Sequence, residues 1–385
     1  MPDEDSFDIR GKRFARVVTF YLPQFHQIPE NDEWWEPGFT EWTNVKRAKS
    51  LFPGHHQPRI PGQLGYYDLR NPTVRQQQAE LAENSGIEAF CYWHYWFGGG
   101  RKILELPFNE VVSSGKPSVS FCVAWANQTW TGIWHGAPNR VLIEQTYPGR
   151  DDERQHFLSL LPAFEDSRYM TVEGKPIFVV YDAQGLPDSE SFVAHWRKLA
   201  EEAGLPGLYI IGMSNRLSHP SLKPFDATMQ FGPSDFLARQ PYLSATARAL
   251  RIISNKLFVN FLPERTLRRL QLPARYDFAD VVSSAFSDYR NSEVNIPCVL
   301  SGWDNTPRSG RRGVVFENFS AELFRAYLKK AISYVRSNSP QERIVFIKAW
   351  NEWAEGNYLE PDANSGSELL DVVRNEVLGT NSLKQ

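Results

Sequence analysis

The stretch Ile344–Asp362 reads IVFIKAWNEWAEGNYLEPD. Its first third is a short run, mostly apolar on both faces and rich in β-branched residues, which fits a strand of a parallel sheet covered by helices. Beyond that run, Glu352, Glu355 and Glu360 stand among Trp350, Trp353 and Tyr358. Acidic side chains are normally solvated unless a pairing or functional environment holds them. Carboxylates leaving a buried strand among aromatic rings therefore point to a cleft that binds sugar and performs acid/base chemistry.

Seven other runs share this character. With the first they are Arg16–Tyr21, Ile87–Trp93, Val119–Ala124, Ile177–Tyr181, Leu208–Met213, Ala227–Phe231, Ile296–Leu300 and Ile344–Ala349. Helix-like segments lie between most of them. The clearest runs from Asn71 to Gly86, where Asn supplies a cap, Pro72 tolerates its missing amide bond in the first turn and Gly permits a left-handed exit. Others are expected over 151–164, 188–203, 319–336 and 367–377. Eight strands with intervening helices predict an α/β (β/α)8 TIM barrel, one domain over residues 1–385, with long loops after its strands and a partly helical elaboration at 232–295.

Bulk properties narrow the function. With 42% hydrophobic and 23% charged residues and a formal net charge of -3, the chain has material for a large core and no general attraction for nucleic acid. The start, MPDEDSFDIRGKR, lacks the apolar segment of a secretory signal, and no stretch approaches a membrane span. A soluble, cytoplasmic chain without an integral membrane segment is expected. Cys91, Cys122 and Cys298 each sit in an apolar run and read as buried thiols. There is no HExxH or thiol-rich metal pattern, no phosphate loop and no GxSxG elbow, so neither a metal nor a cofactor is expected.

Polar and aromatic residues recur at the same end of the apolar runs, the end where a barrel carries its active site. After the first run come Tyr21, Gln24, His26, Glu41 and Trp42; after the second, Trp93 and His94. The third offers Trp125, Asn127 and Trp130, the fourth Tyr181, the fifth Asn215 and the sixth Gln230. The seventh gives Trp303 and Asp304, the eighth Trp350 and Asn351. Amides, imidazoles and carboxylates satisfy sugar hydroxyls, and indole faces stack on sugar rings. Strand alternation assigns Trp93 and Tyr95 to one face, and His94 and Trp96 to the other. Glu352 and Glu355 would face opposite sides of a continuing strand; a turn at Gly356 brings both to one centre. Two carboxyls at one glycosidic bond can then divide the work, one ionised and one protonated.

The segments FYLPQFHQIPEND, GFTEWTNV, CYWHYWF, VAWANQTW and KAWNEWAEGNYLEPD together resemble the glycoside hydrolase family 99-like group, including WbsX-type proteins of polysaccharide biosynthesis clusters. The resemblance spans most of the chain. It implies a TIM-barrel, retaining endo-α-glycosidase of the mannosidase kind, working through a 1,2-anhydro sugar. It also implies that Glu352 assists removal of the 2-hydroxyl proton, that Glu355 protonates the departing oxygen, and that Glu360 binds a hydroxyl or orders its loop. Ala354 stands where mannoside-processing members have His, which separates the carboxylate spacing from the choice of sugar. Two other readings stay open: a glycosyltransferase of cell-surface polysaccharide such as lipopolysaccharide, with Arg308, Arg311 and Arg312 as an anion-binding loop, and a non-catalytic glycan-binding protein. The expected partner in each is a carbohydrate.

Overall fold

The computed structural model describes residues 15–132, 137–230, 232–233, 236–237, 272–289 and 294–379, together with the short strands Phe7–Asp8 and Lys12–Arg13. Most of the expected elaboration at 232–295 lies outside the described residues.

The apolar runs form a ring of parallel strands. They are β1 (Arg16–Tyr21), β2 (Ala89–His94), β3 (Ser120–Trp125), β4 (Lys175–Val180), β5 (Tyr209–Ser214), β6 (Ala227–Gln230), β7 in two halves (Asn295–Ile296 and Cys298–Leu300) and β8 (Ile344–Lys348). Each pairs in parallel with its neighbour. The ring closes because the first half of β7 pairs with β6 and the second half with β8, which in turn pairs with β1. Pro297, which has no N–H to give a ladder, separates the two halves. The fold is thus the expected TIM barrel.

Helices cover the ring: α1 (Pro72–Asn84), α2 (Leu106–Ser114), α3 (Arg150–Phe164), α4 (Ser189–Glu202), α5 (Phe278–Ser284), α6 (Ala321–Tyr334) and α7 (Glu368–Leu378). Their starts are set locally. Asn71 accepts a hydrogen bond from the Thr73 amide at 3.0 Å, and Asp188 accepts one from Ser191 at 3.0 Å. Their inner faces are apolar. On α4, Trp196 lies stacked on Phe178 of β4 with ring centroids 4.4 Å apart; burying such a ring contributes about 2–3 kcal/mol.

The connection from β5 to β6 departs from the repeat. Between β5 and β6 a single 3-10 turn, Pro220–Leu222, stands where a helix would lie. It sits directly on the sheet at Gly212, where a Cβ would come within 2.8 Å of Phe225 and 2.9 Å of Leu222. The three cysteines are buried and free. Among the described residues, no helix is long and apolar enough to cross a membrane.

Candidate active site

After β8 the chain folds back on itself. Asn351–Glu352 pairs antiparallel with Asn357–Tyr358, and the single turn Trp353–Glu355 joins them. Gly356 closes the turn at φ +64, and a Cβ there would lie 2.8 Å from the Asp304 backbone nitrogen. Gly302 makes the matching approach, its missing Cβ leaving room for the Gly356 carbonyl. Through this gap the Asp304 amide donates to the Glu355 carbonyl at 2.7 Å. The loops after β7 and β8 are thereby locked, and Glu352 and Glu355 face one cleft.

That cleft has a volume of about 540 Å³ and opens at the C-terminal ends of the strands, within the roughly 300–1,000 Å³ usual for small-molecule sites. Lys348, the last residue of β8, projects its ammonium between the two acids. It donates to Glu352 and, at 3.0 Å, to Glu355 Oε2. Glu352 also accepts from the Trp93 indole at 2.9 Å. Arg308 donates to the other Glu355 oxygen at 2.6 Å and to Glu41 at 2.7 Å. A buried ion cluster of this kind adds little net stability over apolar packing, so its persistence in a barrel interior points to chemistry.

The two acids are not equivalent. Burial pushes the Glu352 carboxyl up to about 7, with the charge of Glu355 adding to it and Lys348 opposing. Burial also raises Glu355, but Lys348 and Arg308 together outweigh it and hold that carboxyl well below the usual range. Lys348 stays charged because the two carboxylates overcome its own burial. The free site therefore carries a proton acceptor at Glu355 and holds a proton on Glu352 up to about pH 7.

Of the residues expected at the site, Gln24, Glu41, Trp93, Trp130, Tyr181, Trp303, Glu352 and Glu355 line the cleft. The others do not. Tyr21 turns outward and donates to Gln78 of α1 at 2.6 Å. Trp125 also faces the helices, its indole bonded to the Trp96 carbonyl and its ring beside Phe192. His94 faces the helix layer too, 2.9 Å from His156 of α3, and is kept neutral by burial; the expected alternation with Trp93 and Tyr95 holds, and it takes His94 out of the cleft. His26 bonds the Pro23 carbonyl at 2.9 Å within its own loop.

Trp42 packs on Phe25 and Trp353, and Trp350 on Phe90. Asn127 ties the β3 loop to the Asp182 backbone at 2.8 Å, and Asn351 ties the β8 loop to Leu22 through both its amide atoms. Asn215 is exposed beside Gln184, and Gln230 is buried at the end of β6 away from the cleft wall. Asp304 is held behind that wall by His55 and Gln57, each at 2.8 Å, and by Thr306. Glu360 accepts from Trp353, Gln78 and Tyr67 at 2.6, 2.7 and 2.9 Å, so it orders its loop and does not reach the cleft. Arg308 is withdrawn from the anion-binding trio by its two carboxylates. Lys348 and Tyr95 enter the cleft without having been expected there; a lysine inside the run IVFIKA was the available signal for the first.

A family model described as Glycosyltransferase WbsX matches residues 17–373. Two curated relatives, each described as Uncharacterized protein WxcX and belonging to strains of Xanthomonas campestris pv. campestris, are 37% and 36% identical over 362 residues. The match covers 94% of this chain and 49% of either relative, so the chain spans about half the length of the curated relatives it matches. Among solved structures, a glycoside hydrolase-like protein is similar at TM-score 0.56 and 15% identity, over 97% of this chain and 96% of that one. A GH99 endo-alpha-mannosidase from Bacteroides thetaiotaomicron is similar at TM-score 0.53 and 14% identity, over 94% and 95%. At such identities the likeness establishes the fold.

Proposed function

From its place in the WbsX family, to which this chain belongs, we propose that the protein is a carbohydrate-active enzyme that breaks a glycosidic bond in a bacterial poly- or oligosaccharide, with Glu352 and Glu355 as its acid/base pair. The observation that carries this reading is the asymmetric pair itself. Two carboxyls share Lys348 in an aromatic cleft, but only Glu355 is also held by Arg308. Such an arrangement keeps one acid and one base side by side at neutral pH. Trp35 and Trp130, half-buried in the cleft wall, supply apolar surface for the C–H faces of a sugar.

The test is release of reducing ends from a panel of bacterial polysaccharides. E352Q and E355Q should each lower turnover by roughly 10²-fold or more, while glycan binding by calorimetric titration persists. Full turnover in either variant would remove that residue from the chemistry.

The finer reading is retention through a 1,2-anhydro sugar, in which one carboxylate takes the 2-hydroxyl proton and the other carboxyl protonates the departing oxygen. The family resemblance gives the first task to Glu352 and the second to Glu355; the charges of the free site favour the reverse. A dinitrophenyl glycoside separates the two, because its leaving group needs no proton. The variant lacking the acid keeps the bond-breaking step on that substrate, and the variant lacking the base loses it. A 2-deoxy substrate that is still cleaved would end the 1,2-anhydro route.

Transfer is the second reading, favoured by the family's description. A sugar hydroxyl taking the place of water would give transfer by the same pair. Product analysis with an added oligosaccharide acceptor distinguishes the outcomes, and titration with sugar nucleotides tests the donor.

A further inference from the structure

Among the described residues, two basic and three acidic side chains meet in the cleft, and their charges do not cancel. Lys348 and Arg308 are cations; Glu41, Glu352 and Glu355 are carboxylates. With all three acids ionised the buried cluster carries one net negative charge, and a single proton neutralises it. An unbalanced buried charge is costly, so one proton is held. Its location follows from hydrogen bonds. Glu41 and Glu355 are bridged by the guanidinium of Arg308, whereas Glu352 has Lys348 and the neutral Trp93 indole.

We infer that Lys348 is a positioning residue that sets the number of protons carried by the Glu352–Glu355 pair at one, while Arg308 decides which of the two carries it. The inference rests on the acid/base reading above and deepens it. Lys348 is buried at the end of β8 and lines the floor of the cleft beside both acids. It faces the Trp303 ring at 5.5 Å on one side and the two carboxylates on the other. Among the described residues, the other charged or titratable groups around the pair are Arg308 after β7, Glu41 after β1, Tyr95 after β2 and Tyr181 after β4. Burial keeps both tyrosines neutral, so neither adds a negative charge to the balance.

Removing the ammonium leaves one cation beside three carboxylates. Balance then requires two protons, and the second falls on one of the two acids left sharing Arg308, Glu41 or Glu355; on Glu355 it abolishes the base. Lysine at this point thus does something that methionine of similar length cannot, while arginine preserves the charge.

The experiment is infrared difference spectroscopy of the protonated carboxyl band as pH is varied. It is run on the full chain as wild type, K348M, K348Q, K348R, E355Q and E352Q, and E352Q assigns the band. Glu360 is also protonated in part near neutral pH, and its contribution is subtracted with E360Q. The inference expects the Glu352 midpoint to rise in K348M and K348Q, to stay near the wild-type value in K348R, and to fall in E355Q, where one negative charge is gone. It also expects the alkaline limb of the pH–rate profile to move upward in K348M as kcat drops by roughly 10²-fold, with partial recovery in K348R. A midpoint unmoved in K348M or K348Q, or unmoved in E355Q, overturns the inference. E355Q leaves Lys348 in place, so an unmoved midpoint in this arm overturns the charge balance even if the lysine variants do not fold. Infrared midpoints that move as expected in a protein that cleaves no glycoside would refute the enzymatic reading and leave the inference standing.

Discussion

Glu352 and Glu355 are three residues apart and share Lys348, but Arg308 reaches only the second. If protonated Glu352 is the acid, turnover declines as pH rises through about 7; a pH profile of kcat/KM on a natural glycoside measures this, and an alkaline limb well below 7 would contradict it. Glu360 permits a test that involves no substrate. Burial raises it to about 7 against an ordinary value of 4.5. The unfolded chain gives up this proton between those values while the folded chain keeps it, so its stabilising share is complete below 4.5 and is lost as pH rises to 7. Between pH 5 and 8 the wild type should lose on the order of 3 kcal/mol relative to E360Q in chemical denaturation. The carboxylate pair was legible in the sequence because acids beside indoles have few bland explanations. Lys348 was not, since its worth depends on two partners that only the turn at Gly356 brings to it. Tyr21, His94 and Trp125 were misplaced for a related reason: the end of a strand can be read from sequence, but which side chain faces inward depends on where the pleat starts.

The loop after β8 is the element that turns a strand into a site. Gly356 is required there twice, for its left-handed backbone and for the approach of Asp304. Gly356→Ala should cost roughly 1–3 kcal/mol and lower kcat more than it raises KM, because the displaced loop carries Glu355; thermal melts and steady-state kinetics check both. Asn351 has a different task, joining this loop to the one after β1 by accepting from the Leu22 amide at 2.7 Å and donating to its carbonyl at 3.0 Å. Asn351→Ala strands two buried backbone groups and should cost about 2–4 kcal/mol. The strands themselves were readable to within two residues at most ends, since runs apolar on both faces have one usual place in an α/β fold. The β5–β6 connection was less readable. Its single turn is allowed by Gly212, and a glycine inside a strand does not by itself announce that a helix is missing.

At the scale of the molecule, one apolar cluster runs from Ala15 to Val377 and takes in every barrel strand. A core without internal division predicts one cooperative unfolding transition in calorimetry; two separate transitions would point to an independent unit within the chain. The barrel was legible as a whole because its period repeats eight times and any single misread strand is outvoted. The cleft was legible only as a location, since every strand end except that of β5 contributes to it and each does so through a loop of its own shape. These contributions are unequal. The ammonium and both carboxyls come from one short piece of chain, Lys348–Glu355, clamped to its neighbours mainly through main-chain bonds, whereas the surfaces that would meet a sugar are spread over the other loops. Reactivity can therefore be inherited as a unit while recognition drifts, and a graft that exchanges the loop after β3 should alter which glycan is bound without disturbing the proton held at the end of β8.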